Sequence, residues 1–336
     1  MVSGITGKNI NLPILNNILI RVNDNKVEFV ATNLETAVIV VVRAKVEETG
    51  SFTVPARTLT DFVNLLPNET IDFSVKENEL LVKCGKSATK IKGTSAEDFP
   101  VIPAIPDGKG YLIDAVLFRD ALNKVLPAVA KNDIRPELSG LFAFFNTENK
   151  QLVLAATDSY RLAEKKLKLE QGEVEMKIII PARTALEINH LLAGAGNGDG
   201  DEKNARILIG DKQMVVLFNN AQIISRLVEG QYPDYTQIIP KEFNTTVTID
   251  TQRLIKEMKA SGLFTTTGVN AVSLGLKPKQ NLIEISSVSS QTGEYNSELE
   301  AEVKGEENTV LLNNRYVLDG LNNFNTPETN LKINNG

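Results

Sequence analysis

VPARTLTDFVNLLP, residues 54–67, decides the fold of this chain because it comes back twice. IPARTALEINHLL opens at Ile180 and LNNRYVLDGLNNF at Leu312, with Arg57, Arg183 and Arg315 in register. Each arginine follows an apolar run of strand character (FTV, KIII, TVLL). Each opens a segment whose apolar residues fall at helical spacing. A unit that returns every roughly 130 residues is a structural repeat.

A second set of anchors keeps the same period. LPILNNILIRV from 12 matches RPELSGLFAFF from 135 and, more weakly, GVNAVSLGL from 268. NKVEFVATNLE from 25 matches NKQLVLAATDSY from 149 and NLIEISSVSS from 281. These are alternating strand pairs joined by turns rich in Asn, Asp, Lys and Gly. DFPVIP from 98 and YPDYTQIIP from 232 close the first two units. Units two and three open on helices beginning at Asp114 and Asp250, acids suited to N-capping. The fold class is α+β: three tandem copies, each with two helices packed on antiparallel sheet. The expected divisions are 1–108, 109–243 and 244–336.

Composition bounds the chemistry. The 336 residues are too many for one ordinary core. No apolar run approaches the roughly 20 residues a spanning helix needs, and MVSGITGKNINLP lacks the apolar centre of a signal peptide. With Cys84 and His190 the only residues of their kinds, no His/Cys metal cluster can form, and no cofactor is expected. One free thiol fits a reducing cytoplasm. His190, inside a helical pattern, reads as a satisfied surface or core-edge histidine. A net charge of −6 argues against tight, sequence-specific DNA binding. It leaves room for a protein that surrounds DNA loosely with a locally basic lining.

The motif series LPIL, ATNLE, VPAR, DFP, RPELSG, ATDSYRLA, IPAR, EGQYPDY and LNNRYVLDGL runs in one order along the whole chain. It resembles the bacterial DNA sliding clamp family, the beta subunit of DNA polymerase III. The resemblance implies a non-catalytic processivity subunit: two chains join head to tail in a ring around duplex DNA, helices lining the hole. It implies as partners non-sequence-specific duplex DNA, the replicative polymerase, a clamp loader, other proteins with clamp-binding motifs and a second copy of the chain.

Positive charge should face phosphate without reading bases. The opening helices place Lys124 and Lys131 on one side, opposite Phe118, Leu122, Val125 and Val129; Lys256 and Lys259 stand opposite Leu254 and Met258. Arg57, Arg183 and Arg315 could bond local strand ends or point into the hole. Lys131 and Arg135 in KNDIRPEL, and Lys8 in GKN, fall where the family approaches the DNA backbone. For the cleft that receives partner peptides, the resemblance implies Leu138, Thr157, Ser159, Tyr160, Arg161, Leu162, Pro233, Gln237 and Ile238. Ser159–Tyr160 replace a frequent Gly-His pair, and Gln237 stands where arginine is common. For the ring interface it implies Thr89 and Ile91 on an edge strand, facing Leu263 and Phe264.

The repeat spacing also predicts that both ends are cut short. Only twelve residues precede Pro13, whereas 25 separate Tyr111 from Pro136. About 13 residues, an opening strand and helix, are expected to be missing at the start, and about 36 at the end. A defective ring and half a cleft would follow. CGKSA at 84 lacks the upstream glycine of a phosphate loop, Leu80 standing in its place, and GAGNGDGDE at 194 misses dinucleotide-loop spacing. The rival readings are a non-replicative scaffold of the same fold and, more distantly, a carboxylate hydrolase around Asp158, Glu229 and Asp234.

Overall fold

In the computed structural model, which describes residues 2–6, 12–103, 108–132, 134–196 and 202–334, the repeated stretch is a strand-to-helix corner. Pro55 and Pro181 sit at the caps of their helices with φ of −54° and −53°, a backbone angle the proline ring imposes. The third copy has Asn313 instead, and its side chain accepts from the backbone N–H groups of Arg315 and Tyr316.

The first repeat holds α1 (Val2–Ile5), β1 (Asn17–Asn23), β2 (Lys26–Thr32), β3 (Thr36–Arg43), β4 (Gly50–Pro55), α2 (Ala56–Asn64), β5 (Ile71–Lys76), β6 (Glu79–Cys84) and β7 (Ser87–Lys92). The second holds β8 (Lys109–Asp114), α3 (Ala115–Val125), β9 (Gly140–Asn146), β10 (Gln151–Thr157), β11 (Leu162–Lys168), β12 (Gln171–Gly172) and β13 (Met176–Pro181). It continues through α4 (Ala182–Leu191), β14 (Asn204–Ile209), β15 (Gln213–Phe218) and β16 (Ala221–Arg226). The third holds β17 (Thr245–Asp250), α5 (Thr251–Gly262), β18 (Ala271–Lys277), β19 (Leu282–Ser289), β20 (Gly293–Glu300), β21 (Glu302–Gly305), β22 (Asn308–Asn313), α6 (Asn314–Leu321) and β23 (Glu328–Ile333).

Strand order makes the repeat physical. One sheet of each copy runs β4-β1-β2-β3, β13-β9-β10-β11 and β22-β18-β19-β20, the same order three times, and the pairings are antiparallel. Asp114 caps α3 by accepting from Val116 and Leu117 N–H at 3.0 Å, and Asp250 caps α5 by accepting from Arg253 N–H at 2.7 Å.

The chain forms two compact units, 1–232 and 233–336. Repeats one and two share the first unit because β16 pairs with β3, from Ala221↔Val40 to Ser225↔Thr36, making one nine-stranded sheet. Behind that seam Thr184 Oγ1 lies 3.1 Å from Thr36 Oγ1 and 2.6 Å from Ser225 Oγ, so buried hydroxyls satisfy one another.

The first repeat does have a helical turn where none was expected. In α1, Ile5 is fully buried in the core of the second repeat, with Phe118, Leu122 and Ile188. The second unit has its own core, built on Leu254, Met258, Leu274, Ile283 and Ile285.

Candidate nucleic-acid and partner interfaces

Helix α3 buries Phe118, Ala121, Leu122 and Val125, which turns Lys124 outward. Its ammonium is half-buried and donates to Asp120 Oδ2 at 2.7 Å, one helical turn back, so much of its field is neutralised locally. Lys131 does not share that helical side. The α-helix stops at Val125 and passes into a 3₁₀ turn, Leu126–Ala128, because Pro127 has no N–H to continue the ladder. Lys131 is exposed beyond the turn. Arg135 is exposed and meets Glu137 Oε1 at 3.1 Å. Glu137 is held below the ordinary carboxylate range by its hydrogen bond to a backbone N–H and then by Arg135.

On α5, Leu254 and Met258 are buried and Lys256 and Lys259 stand exposed on the opposite side, as the spacing predicts. The three repeat arginines part ways. Arg57 is exposed, 3.5 Å from Asp61 one turn along α2. Arg183 donates to the carbonyl oxygens of Gly4 and Ile5 at 3.4 and 3.2 Å, binding the end of α1 rather than a strand end. Arg315 is exposed. Lys8 lies outside the described residues.

The loop after β10 is tied by its own side chains. Thr157 Oγ1 donates to Arg161 O at 2.7 Å and accepts from Ser159 N–H at 3.1 Å. Asp158 Oδ1 accepts from the N–H groups of Tyr160 and Arg161, both at 3.1 Å. This Asx turn places Ser159 at φ +76° and leaves Tyr160 84% exposed. Arg161 points inward, donating to Asp158 Oδ2 at 3.0 Å and to the carbonyl of Pro127. Its guanidinium braces the loop. Leu138 and Thr157 are buried, and Leu162, the first residue of β11, is half-buried. Sequence reading missed Tyr232, whose hydroxyl accepts from Thr157 N–H at 3.0 Å and whose ring stacks on Phe142 at 5.1 Å. Burial pushes its phenol up to about 12 against the lowering effect of that bond. The tyrosine of YPDY was the available signal.

In the second unit, Asp234 Oδ1 accepts from Thr236 N–H and Oδ2 from Gln237 Nε2 at 2.8 Å. That arrangement leads a 3₁₀ turn, Tyr235–Ile238, on which Ile238 is 69% exposed; Pro233 is exposed as well. The carboxylates weighed for hydrolysis are engaged in local contacts, Glu229 being 2.7 Å from Lys212, which lowers its pKa.

At the expected ring contacts, β7 is an edge strand, pairing with β6 in the order β5-β6-β7. Ile91 does not face outward. Strand alternation turns it into the core of its own repeat with Leu80 and Val82, and Thr89 on the same side is half-buried. Leu263 is 70% exposed at the end of α5. Beside it Phe264 stacks on Tyr295 of β20 at 5.9 Å, and the Tyr295 hydroxyl donates to Glu257 Oε2 at 2.6 Å. That bond raises the phenol pKa. β20 is also an edge strand. Among the described residues there is no cluster of potential metal ligands, and no helix is long and apolar enough to cross a membrane.

Three copies of one α+β unit, with cationic side chains on the opening helices and open strand edges, define a clamp-type repeat protein. Family models agree domain by domain: the DNA polymerase III beta subunit N-terminal domain matches residues 1–103, the central domain 112–234 and the C-terminal domain 236–336. The beta sliding clamp of Streptococcus pneumoniae is 28% identical over 331 residues, covering 96% of this chain and 85% of that protein. That of Synechococcus elongatus is 27% identical over 331 residues, covering 96% and 86%. The crystal structure of the Thermotoga maritima beta subunit matches with a TM-score of 0.91 at 25% identity, and the Bacillus subtilis sliding clamp with 0.90 at 26%. Each of these two structural matches covers 99% of this chain and 89% of the other. The chain belongs to the DNA polymerase III beta subunit family, and its function is that of a DNA sliding clamp in replication.

Proposed function

We propose that this chain acts without catalysis, in the cytoplasm, as a head-to-tail homodimer of three-domain subunits (boundaries near 108 and 243), closed around duplex DNA. It would be placed there by a clamp loader and would tether the replicative polymerase and other proteins with clamp-binding motifs. The observation that carries this reading is the threefold repetition of one strand order, with Lys256 and Lys259 exposed on an opening helix. A head-to-tail contact between repeat-built crescents closes when the rotation closes. Lysines aimed at phosphate give attraction without wells at particular bases, which sliding requires.

Lys131, Arg135 and Arg57 would add to the lining. Lys124 and Arg183 would act chiefly through the local contacts they already make. Tyr160, Leu162, Pro233, Gln237 and Ile238 would receive the partner peptide. Leu138, Thr157, Ser159 and Arg161 would hold the loop in shape. Thr89 and the β7 backbone would meet Leu263 and Phe264 of a second copy, with Ile91 behind them as support.

The test is retention on circular duplex DNA after loading. The protein should stay on closed circles and leave when they are linearised; equal retention on linear DNA overturns the reading. Replacing Lys256 and Lys259 by alanine should lower the salt slope of residual DNA binding by about two, one for each phosphate that is no longer neutralised.

A further inference from the structure

A cavity of about 300 Å³ opens on the first repeat, between the four-stranded run β4-β1-β2-β3 and the 96–102 segment that carries the DFP motif. Leu19, Val30, Ile39, Phe99 and Ile102 form its apolar wall, with Arg21 and Ser51 at the polar end. Val101 stands at the mouth, 92% exposed.

The second repeat carries larger side chains on the equivalent surface. Pro55 and Pro181 are equivalent, and their strand partners, Asn17 and Gly140, fix the register. Leu19 therefore corresponds to Phe142, Arg21 to Phe144, and Ser51 to Lys177. DFP and QYP make Phe99 the counterpart of Tyr232. In the second repeat Tyr232 stacks on Phe142 at 5.1 Å, and Lys177 Nζ lies 4.9 Å from the centre of the Phe144 ring. Two aromatic rings and a cation thus occupy positions held in the first repeat by a leucine, an arginine and a serine.

Charge selects among ligands for the open version. Arg21 is 3.4 Å from Glu28 Oε2, while Lys26 is 3.3 Å from Glu28 Oε1. Arg21 is the charged side chain of the lining, and because Glu28 is shared with Lys26 the guanidinium is only partly neutralised, which favours an anion beside it. A volume at the low end of the range for ligand pockets takes one side chain rather than a cofactor.

We propose that this cavity docks an aromatic side chain of a partner polypeptide, with an adjacent acidic residue meeting Arg21. It is a second peptide site, separate from the one assigned to the loop after β10. The ring takes the place that Phe142 and Phe144 fill in the second repeat, and the carboxylate competes with Glu28 for the guanidinium.

The probe is N-acetyl-Phe-Asp-amide, titrated into the full chain with the methyl groups of Leu19, Val30, Ile39 and Ile102 followed by NMR. Saturable shifts at those methyls are expected. Arg21→Gln, or Asn for Asp in the probe, should weaken binding about three-fold, as befits an exposed ion pair. Grafting the second repeat's pair, Arg21→Phe with Ser51→Lys, removes the guanidinium and puts a long side chain in place of a serine, so it should weaken binding at least about ten-fold. Both positions are exposed, so the graft should leave the thermal midpoint within a few degrees; circular dichroism checks that. The proposal is overturned if wild type shows no saturable shifts at those methyls. It is equally overturned if the folded graft binds as wild type does, or if the shifts appear at Leu162 and Ile238 instead.

Discussion

The loop Thr32–Thr36 and the loop Thr157–Arg161 are the same structure built from different side chains. In the first, Thr32 Oγ1 donates to Thr36 O at 3.0 Å and accepts from Leu34 N–H at 3.0 Å. Asn33 Oδ1 accepts from Glu35 and Thr36 N–H at 3.0 and 2.7 Å. Every one of these bonds has its counterpart in the second loop, and the left-handed residue sits at φ +77° in Leu34 and +76° in Ser159. A threonine and an Asx residue therefore set the backbone. What differs is the load on it: the first loop presents a half-exposed Leu34, and the second carries an inward ion pair and an exposed tyrosine. Shape is shared between repeats, and the side chains it presents differ.

The largest expected break in that likeness is electrostatic. Asp158→Ala removes the acceptor for two loop amides and the carboxylate paired with the mostly buried guanidinium of Arg161, so it should cost about 3 kcal/mol. Asn33→Ala removes the amides' acceptor alone and should cost about 1 kcal/mol. Urea unfolding of the two variants measures the gap, and equal losses would mean that the Arg161 pair contributes nothing.

Next in size is Tyr232, whose counterpart Phe99 has no hydroxyl. Tyr232→Phe leaves Thr157 N–H unpaired and should cost about 1 kcal/mol. Its pH signature has a definite sign. A phenol at about 12 in the folded chain and near 10 in the unfolded one holds its proton longer when folded. Its contribution is fully present below pH 10 and is lost as pH rises toward 12. The variant should show a shallower decline across that window, and an unchanged decline would deny that the ring is buried as described.

The smallest effect belongs to the left-handed residues. Leu34→Gly and Ser159→Gly each relieve a strained φ but add disorder to the unfolded chain, for a net gain of about 0.5 kcal/mol. Thermal melts should place both variants slightly above wild type. A gain at one loop with a loss at the other would show that the two turns are not energetically alike.

Much of this is legible in residue order. The repeat, its strand-to-helix corners, the caps Asp114 and Asp250, and the outward set of Lys256 and Lys259 follow from spacing, because helical and strand periodicity act over a few residues. Residue order fails where a distant partner matters. It leaves Arg183 between two roles, because the choice depends on carbonyls 179 and 178 positions away. Ile91 lies on an edge strand, yet sheet register turns it inward. Lys131 is a different kind of failure, since helical spacing carried past Pro127 ignores a stop signal that the sequence itself contains.

The sequence by itself determined the threefold α+β unit and the family, since both rest on motif order and on patterns that local backbone geometry enforces. Tertiary structure alone decided that repeats one and two share a nine-stranded sheet through β16 and β3, with a buried hydroxyl chain behind the seam. It also decided which cations stay exposed and which are consumed by Asp120 or by the end of α1. The physical reason is range. Periodicity specifies which face of an element is apolar, whereas the partner of a polar group is fixed only when packing brings distant segments within hydrogen-bonding reach.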